Sequence, residues 1–466
     1  MRGSSVTQSF NQVSLTRQLQ SGLQQAGFTT MTPIQAQALP AIIARQDVIA
    51  QAKTGSGKTL AFSLGLLNKL VAEEQVIQSL VLAPTRELAQ QVTTEIRKLA
   101  RSMQNIKVLT VCGGEPIGPQ ISSLEHGAHV VVGTPGRIEE HLYKGTLDLT
   151  QVQTWVLDEA DQMLAMGFVE ALENIAIYLP PERQTLMFSA TYQKDIEALT
   201  QQFMREPVMV KGEEEALNRQ IKQQFFALKN NKLRFNTLRL LLQHYKPVSC
   251  IAFCNTKVET KKLYSELKSS GVNVVTLHGD LDQAERVRSL IRFANKSASV
   301  LVATDVAARG LDIEDVDMVI NYHMALDPQT HVHRVGRTGR GGKKGLACSL
   351  YGENEAFKVA KLGEIYEQTF EPVTPPPLSL LDKPVFKPPM VTLQVDGGKK
   401  DKLRAGDIVG CLTSEQGIGA SLIGHIDVLD HQAFVAVARE GVKPALRKLQ
   451  ESKLKGRKFK AKRMSL

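Results

Sequence analysis

The 466-residue sequence has no apolar run approaching the roughly 20 residues that a membrane-crossing helix needs. Its opening, MRGSSVTQSFNQVSL, lacks a basic segment followed by a long apolar stretch and a small-residue cleavage site, so a cytoplasmic location is expected. Cysteine is scarce. Cys112, Cys250, Cys254, Cys348 and Cys411 form no CxxC pair, which argues against a disulfide framework and predicts reduced, mostly buried thiols. Cys250 and Cys254 form a lone CxxxC inside an apolar run, a poor zinc site.

What is abundant is positive charge. The formal net charge is +10, and Lys443 to Arg463 holds ten Lys or Arg against one Glu. Such a tail points to a polyanionic partner, against the plainer reading of a solvated basic face. The chain is long enough for two to four domains of roughly 100 to 200 residues.

Apolar runs then set the organisation. DVIAQA, SLVLAPT, KVLTVCGG, HVVVGTP, TWVLDEA and QTLMFSAT alternate with helix-like stretches up to about residue 211. Runs that are continuously apolar indicate strands buried on both faces, and therefore a doubly wound α/β domain with a parallel sheet. Residues 212–219 are charged and read as a linker. SCIAFCNT, NVVTLHGD, SVLVATDV, DMVINYHM and GLACSLYG repeat the pattern over 220–370. The proline-rich segment 371–389 reads as an extended, semi-rigid spacer. Residues 390–466 read as βαββαβ, a small α+β domain of the kind used by RNA-recognition modules.

Four groups of residues carry chemistry. AKTGSGKT follows a strand and opens a helix, the context of a phosphate-binding loop. Thr54, Gly55, Ser56 and Gly57 offer backbone N–H groups to phosphate, Lys58 a charge to its outer oxygens, and Thr59 a hydroxyl to Mg²⁺. The acidic group ends the strand TWVL. There Asp158 is placed to hold Mg²⁺ and Glu159 to orient and deprotonate water, while Asp161 lies further on and is assigned to domain coupling. A solvated, acid-capped turn is the alternative. Ser189 and Thr191, in FSAT, have hydroxyls able to bond to that cluster. HRVGRTGR supplies His333, Arg334, Arg337 and Arg340; a basic surface loop and a phosphate-contacting loop are equally compatible with it, and His333 and Arg334, like Ser189 and Thr191, are assigned to domain coupling.

In order along the chain, these motifs resemble the DEAD-box RNA helicases: Phe10, GFTTMTPIQ, AKTGSGKT, PTRELA, GG, TPGR, DEAD and SAT, then IAFCNTK, LHGD, ATDVAARGLD and HRVGRTGR. The resemblance implies two tandem RecA-like domains and an enzyme that couples ATP and Mg²⁺ to the separation of short RNA duplexes. It implies Phe10 and Gln35 as adenine contacts, Gly310 and Asp312 as ribose contacts, and Arg337 and Arg340 as arginine fingers. It also implies RNA-backbone contacts at Pro84, Thr85, Arg86, Gly114, Thr134, Arg137, Gly279, Gln283, Arg286 and Thr304.

The third domain resembles the RNA-binding domain of the DbpA branch of that family, which is devoted to large-subunit ribosomal RNA. It departs from the common RNA-recognition pattern, because VTLQV has no aromatic and HQAFVAVARE only Phe434. Recognition is therefore expected from the basic tail and from Lys399, Lys400, Lys402 and Arg404. The expected partner is ribosomal RNA in precursor large subunits, met by a monomer away from membranes. A DNA translocase, a general RNA-dependent ATPase and a non-hydrolysing RNA clamp are the competing readings; the last conflicts with the intact Lys58, Glu159 and Arg337.

Overall fold

Alternate side chains of a strand point to opposite faces, so a run apolar at every position fills two cores at once. That is what the computed structural model shows; it describes residues 8–52, 55–192, 194–212, 221–230, 232–308, 315–339, 344–415 and 417–464. In the first unit, strands β1 (Val48–Gln51), β2 (Ser79–Leu82), β3 (Val108–Val111), β4 (Val130–Gly133), β5 (Thr154–Leu157), β6 (Gln184–Ser189) and β7 (Val208–Lys211) form one sheet. Its order is β3-β4-β2-β5-β6-β1-β7, and every pairing is parallel. Val81, Val156, Leu186 and Phe188 enter a core with Phe62, whereas Leu80, Trp155, Leu157 and Met187 enter a second core with Ile138 and Leu172.

The second unit holds two sheets. Strands β8 (Ile221–Leu228), β9 (Cys250–Cys254), β10 (Val274–Leu277), β11 (Val300–Thr304), β12 (Met318–Asn321) and β13 (Gly345–Gly352) pair in parallel in the order β10-β11-β9-β12-β13-β8. Strands β14 (Met390–Val395), β15 (Ile423–Val428), β16 (Ala433–Ala438) and β17 (Ala461–Arg463) form an antiparallel sheet in the order β15-β16-β14-β17. Helices Ala405–Thr413 and Val442–Glu451 complete the expected βαββαβ order and pack Ile408, Leu412, Ala445 and Leu449 on one face of this sheet.

Three elements differ from expectation. Edge strands β7 and β8 carry Lys and Gln among their apolar residues, so neither appears as a continuous apolar run. The proline-rich segment is not a free spacer. It contains the 3-10 helix Leu378–Asp382, and Val373 N–H donates to Phe225 O at 2.7 Å. The Gln243 amide donates to Lys383 O and Pro384 O, both at 3.1 Å, and accepts from Phe386 N–H at 3.3 Å. Val385 and Phe386 pack on the core beneath, making the segment a strap across the helix Leu233–Tyr245.

Candidate nucleotide site and nucleic-acid surfaces

Because β5, β6 and β1 are neighbours, the loops that follow them emerge side by side at one edge of the sheet. They are the acidic cluster, the Ser-Ala-Thr turn and the glycine-rich loop. The loops after β3, β4 and β2 emerge along the other half of the same edge. They carry Gly114, Thr134 and the Pro84-Thr85-Arg86 run. One sheet edge thus divides into a half bearing the nucleotide candidates and a half bearing the first domain's RNA candidates, in keeping with the rule that ligands gather at strand carboxyl ends.

Gly55 and Gly57 adopt φ of 84° and 92°, a backbone region that L side chains rarely occupy. A Cβ on Gly57 would also collide with the Gln35 amide. From Gly57 the helix Lys58–Leu67 begins, so its unpaired N–H groups face the loop. Thr32 and Gln35 form a capping box, and Gln35 accepts from Thr32 N–H at 2.9 Å while donating to Gly57 O at 3.0 Å. Thr32 Oγ1 donates to Ser56 O at 2.8 Å. Gln35, itself 3% exposed, therefore braces the loop with one donor and one acceptor position, and its amide has one further position of each kind. Lys58 is buried and donates to Ala52 O at 2.7 Å. Phe10 is only 4% exposed and belongs to the first core, so its ring presents little face for the expected adenine stack.

Asp158 and Glu159 are 3% and 4% exposed, which overturns the solvated-turn alternative. Glu159 sits at φ 52° and ψ 50°, a left-handed geometry held between the strand and the helix Ala160–Ala165. Asp158 Oδ1 accepts from Glu159 N–H at 3.0 Å. Burial raises the Asp158 pKa, against the opposing pull of the Lys58 charge and that N–H. Asp161 accepts from Gln162 N–H at 3.1 Å. Ser189 and Thr191 do not bond to the acidic cluster as expected: Ser189 Oγ donates to Thr191 O at 2.7 Å and accepts Thr191 N–H at 3.2 Å.

A buried carboxylate on Asp158 and the Thr59 hydroxyl are hard oxygen donors that suit Mg²⁺. Among the described residues no group of three or more His, Cys, Asp or Glu side chains could hold a metal by itself. Mg²⁺ is usually held by one or two carboxylates together with substrate phosphates, so this donor set fits.

The RNA candidates fall into two kinds. Arg86 lies over Gly114, whose φ of 76° and missing Cβ give the guanidinium its room. Thr85 caps the helix Arg86–Ala100 by accepting Leu88 N–H, and Pro84 is buried beside it. Thr134 precedes the helix Pro135–Tyr143 without a side-chain cap. Arg137 is committed to structure: it binds Glu115 O at 3.0 Å, Gln120 Oε1 at 3.1 Å and Glu140 at 2.9 Å. In the second domain, Gly279 and Gln283 follow β10, and Arg286 donates to Ala307 O at 2.9 Å just after β11 and Thr304. Lys399, Lys400, Lys402 and Arg404 are all exposed, four cations on one short segment.

Arg334 departs from its expected coupling role. Its side chain is 1% exposed, pairs with both Asp305 oxygens at 2.6 and 2.8 Å, and bonds to Asn255 Oδ1 and His323 O. It locks the second domain internally. Arg337 is buried on the turn that follows, its carbonyl accepting Val316 N–H, and His333 is half-buried. Thr54, Gly310, Asp312 and Arg340 lie outside the described residues. The sequence reading missed Thr32, although its T-P-I-Q capping box was a legible signal.

Residues 32–199 match the DEAD/DEAH box helicase model, 233–342 the helicase conserved C-terminal domain, and 392–463 the DbpA RNA binding domain. The chain is 45% identical over 437 residues to the ATP-dependent RNA helicase DbpA of Escherichia coli (strain K12), covering 94% of this chain and 95% of that one. It is 35% identical to the ATP-dependent RNA helicase DbpA of Bacillus subtilis (strain 168), covering 97% and 98%. The structure of S. cerevisiae Dbp5 bound to RNA and ADP BeF3 matches with a TM-score of 0.70 and 33% identity, over 78% of this chain and 96% of that one. Among the described residues no helix is long and apolar enough to cross a membrane. The two parallel-sheet domains, the order of their loops and these likenesses agree that the chain belongs to the DEAD-box ATP-dependent RNA helicases, in the branch typified by DbpA.

Proposed function

We propose that the enzyme remodels short RNA duplexes in ribosomal RNA during assembly of the large ribosomal subunit, recruited to a structured element by its third domain. The observation that carries this reading is the set of exposed cations Lys399, Lys400, Lys402 and Arg404 on a domain separate from both parallel sheets. The basic tail adds to them. The site of action is the cytoplasm and the working form a monomer.

In the catalytic step, the N–H groups of the loop ending at Gly57 and the Lys58 ammonium bind the outer phosphates. Thr59 and Asp158 hold Mg²⁺, which supplies charge neutralisation at those phosphates when bound. Glu159 orients the attacking water and accepts its proton. Arg337 and Arg340 contribute charge from the second domain to the phosphate that leaves. Gln35 reads the base edge with its remaining donor and acceptor, and Gly310 and Asp312 take the ribose.

The test is ATP hydrolysis measured with no RNA, with unstructured RNA and with fragments of large-subunit ribosomal RNA, at one fixed salt concentration. One fragment should activate at far lower concentration than the others. Equal activation by every RNA would leave a general RNA-dependent ATPase.

A further inference from the structure

The face of the four-stranded sheet that RNA-recognition modules use for base stacking is closed here. Thr392, Gln394, Phe434 and Ala436, on the side opposite its two helices, are all buried. Thr392 Oγ1 is bonded to Ser297 Oγ at 2.7 Å and to Asn295 Nδ2 at 3.3 Å, so part of this face meets the second helicase domain.

At this joint a void of about 10 Å³, room for one water, is lined by Arg292 from the helicase domain and by Arg439 and Arg463 from the third domain. Arg439 spends its Nε–H on Pro388 O. Neither the Arg292 nor the Arg463 guanidinium has a hydrogen-bond or ion-pair partner among the described residues. Among the described residues no carboxylate lines the void. Burial lowers the pKa of Arg292, and burial followed by the charge of Arg463 lowers that of Arg439. Three cations facing one small space repel one another unless an anion enters, and guanidinium N–H forks suit phosphate oxygens.

We propose that this notch is a phosphate site, and that the phosphate it takes belongs to the RNA backbone, bridging the second helicase domain and the third domain. The proposal rests on the recruitment reading above and gives it a mechanical form. One phosphate oxygen occupies the water-sized void, while Arg463, which is exposed, holds the group at the rim. RNA held by the third domain is thereby fixed to the helicase domain that carries Gly279, Arg286 and Arg337, and not merely tethered to it.

The test uses the full chain, a fluorescein-labelled RNA hairpin, polyuridylate of equal length, and inorganic phosphate followed by ³¹P line width. Arg292→Gln and Arg463→Gln should each weaken hairpin binding about tenfold and flatten the log affinity against log salt slope by about 0.9. Arg292→Lys should restore most of the slope, which separates lost charge from lost packing. Unchanged affinity and slope in both Gln variants would overturn the proposal. Phosphate broadening that the variants abolish without touching hairpin binding would mark a free-anion site and overturn the RNA assignment. A wild-type chain that bound hairpin and polyuridylate alike would instead be the failure of the recruitment reading, with the salt slopes still deciding the notch.

Discussion

Asp158 and Glu159 are adjacent carboxylates buried to the same degree, and the account gives them different work. Asp158 carries a raised pKa because burial disfavours its charge. Its native carboxyl binds protons more tightly than the unfolded one, so its contribution to stability is present below the unfolded value and is lost as pH rises through the raised folded value. Asp158→Asn is therefore expected to raise the thermal midpoint of the nucleotide-free first domain while abolishing ATP turnover. Glu159→Gln should keep ATP and RNA binding and lose turnover by about a hundredfold or more. Calorimetry and a coupled ATPase assay check both; a destabilised Asn variant or a fully active Gln variant would contradict the assignments.

A second residue-scale prediction concerns His331, which is buried, faces Gln223 Oε1 at 3.0 Å and has its pKa lowered to about 3 by burial and the Arg334 charge. An unfolded histidine titrates near 6.5, so the unfolded chain binds the proton first. Stability from neutral His331 is complete above that value and falls as pH drops toward 3, by up to about 1.4 kcal/mol per pH unit. Thermal melts between pH 7 and 5 should show the second domain weakening, with a shallower slope in His331→Gln; parallel slopes would refute this.

At the scale of elements, the strap was the feature least legible in sequence. Its prolines correctly excluded a central strand and a regular α-helix, but its docking depends on Gln243, some 140 positions earlier. A glutamine inside a helix gives no sign that both ends of its amide are committed. Gln243→Ala removes partners from two carbonyls and one N–H, and should cost the second domain about 1–3 kcal/mol in denaturant unfolding. No loss of stability would return the segment to a spacer. By contrast, the interior strands were legible because burial on both faces leaves continuous apolar runs, while edge strands β7 and β8 were hidden by their polar residues. The site was legible wherever a motif is local in sequence. Arg334 was misjudged because a loop rich in arginine says nothing about Asp305, and the Arg292, Arg439 and Arg463 notch is assembled from distant segments.

At the scale of the whole molecule, the proposed function divides between an ATPase engine and an address. The engine is the pair of parallel-sheet domains, and the address is the third domain held beside the second. The most direct measurement is RNA-stimulated ATP hydrolysis by the full chain and by a chain ending at Pro389, each titrated with the same ribosomal RNA fragment and with unstructured RNA. The shortened enzyme should keep its maximal rate at saturating RNA but need the same high concentration of either RNA. A shortened enzyme that still responded to the fragment at low concentration would place specificity in the helicase domains and contradict recruitment by the third domain.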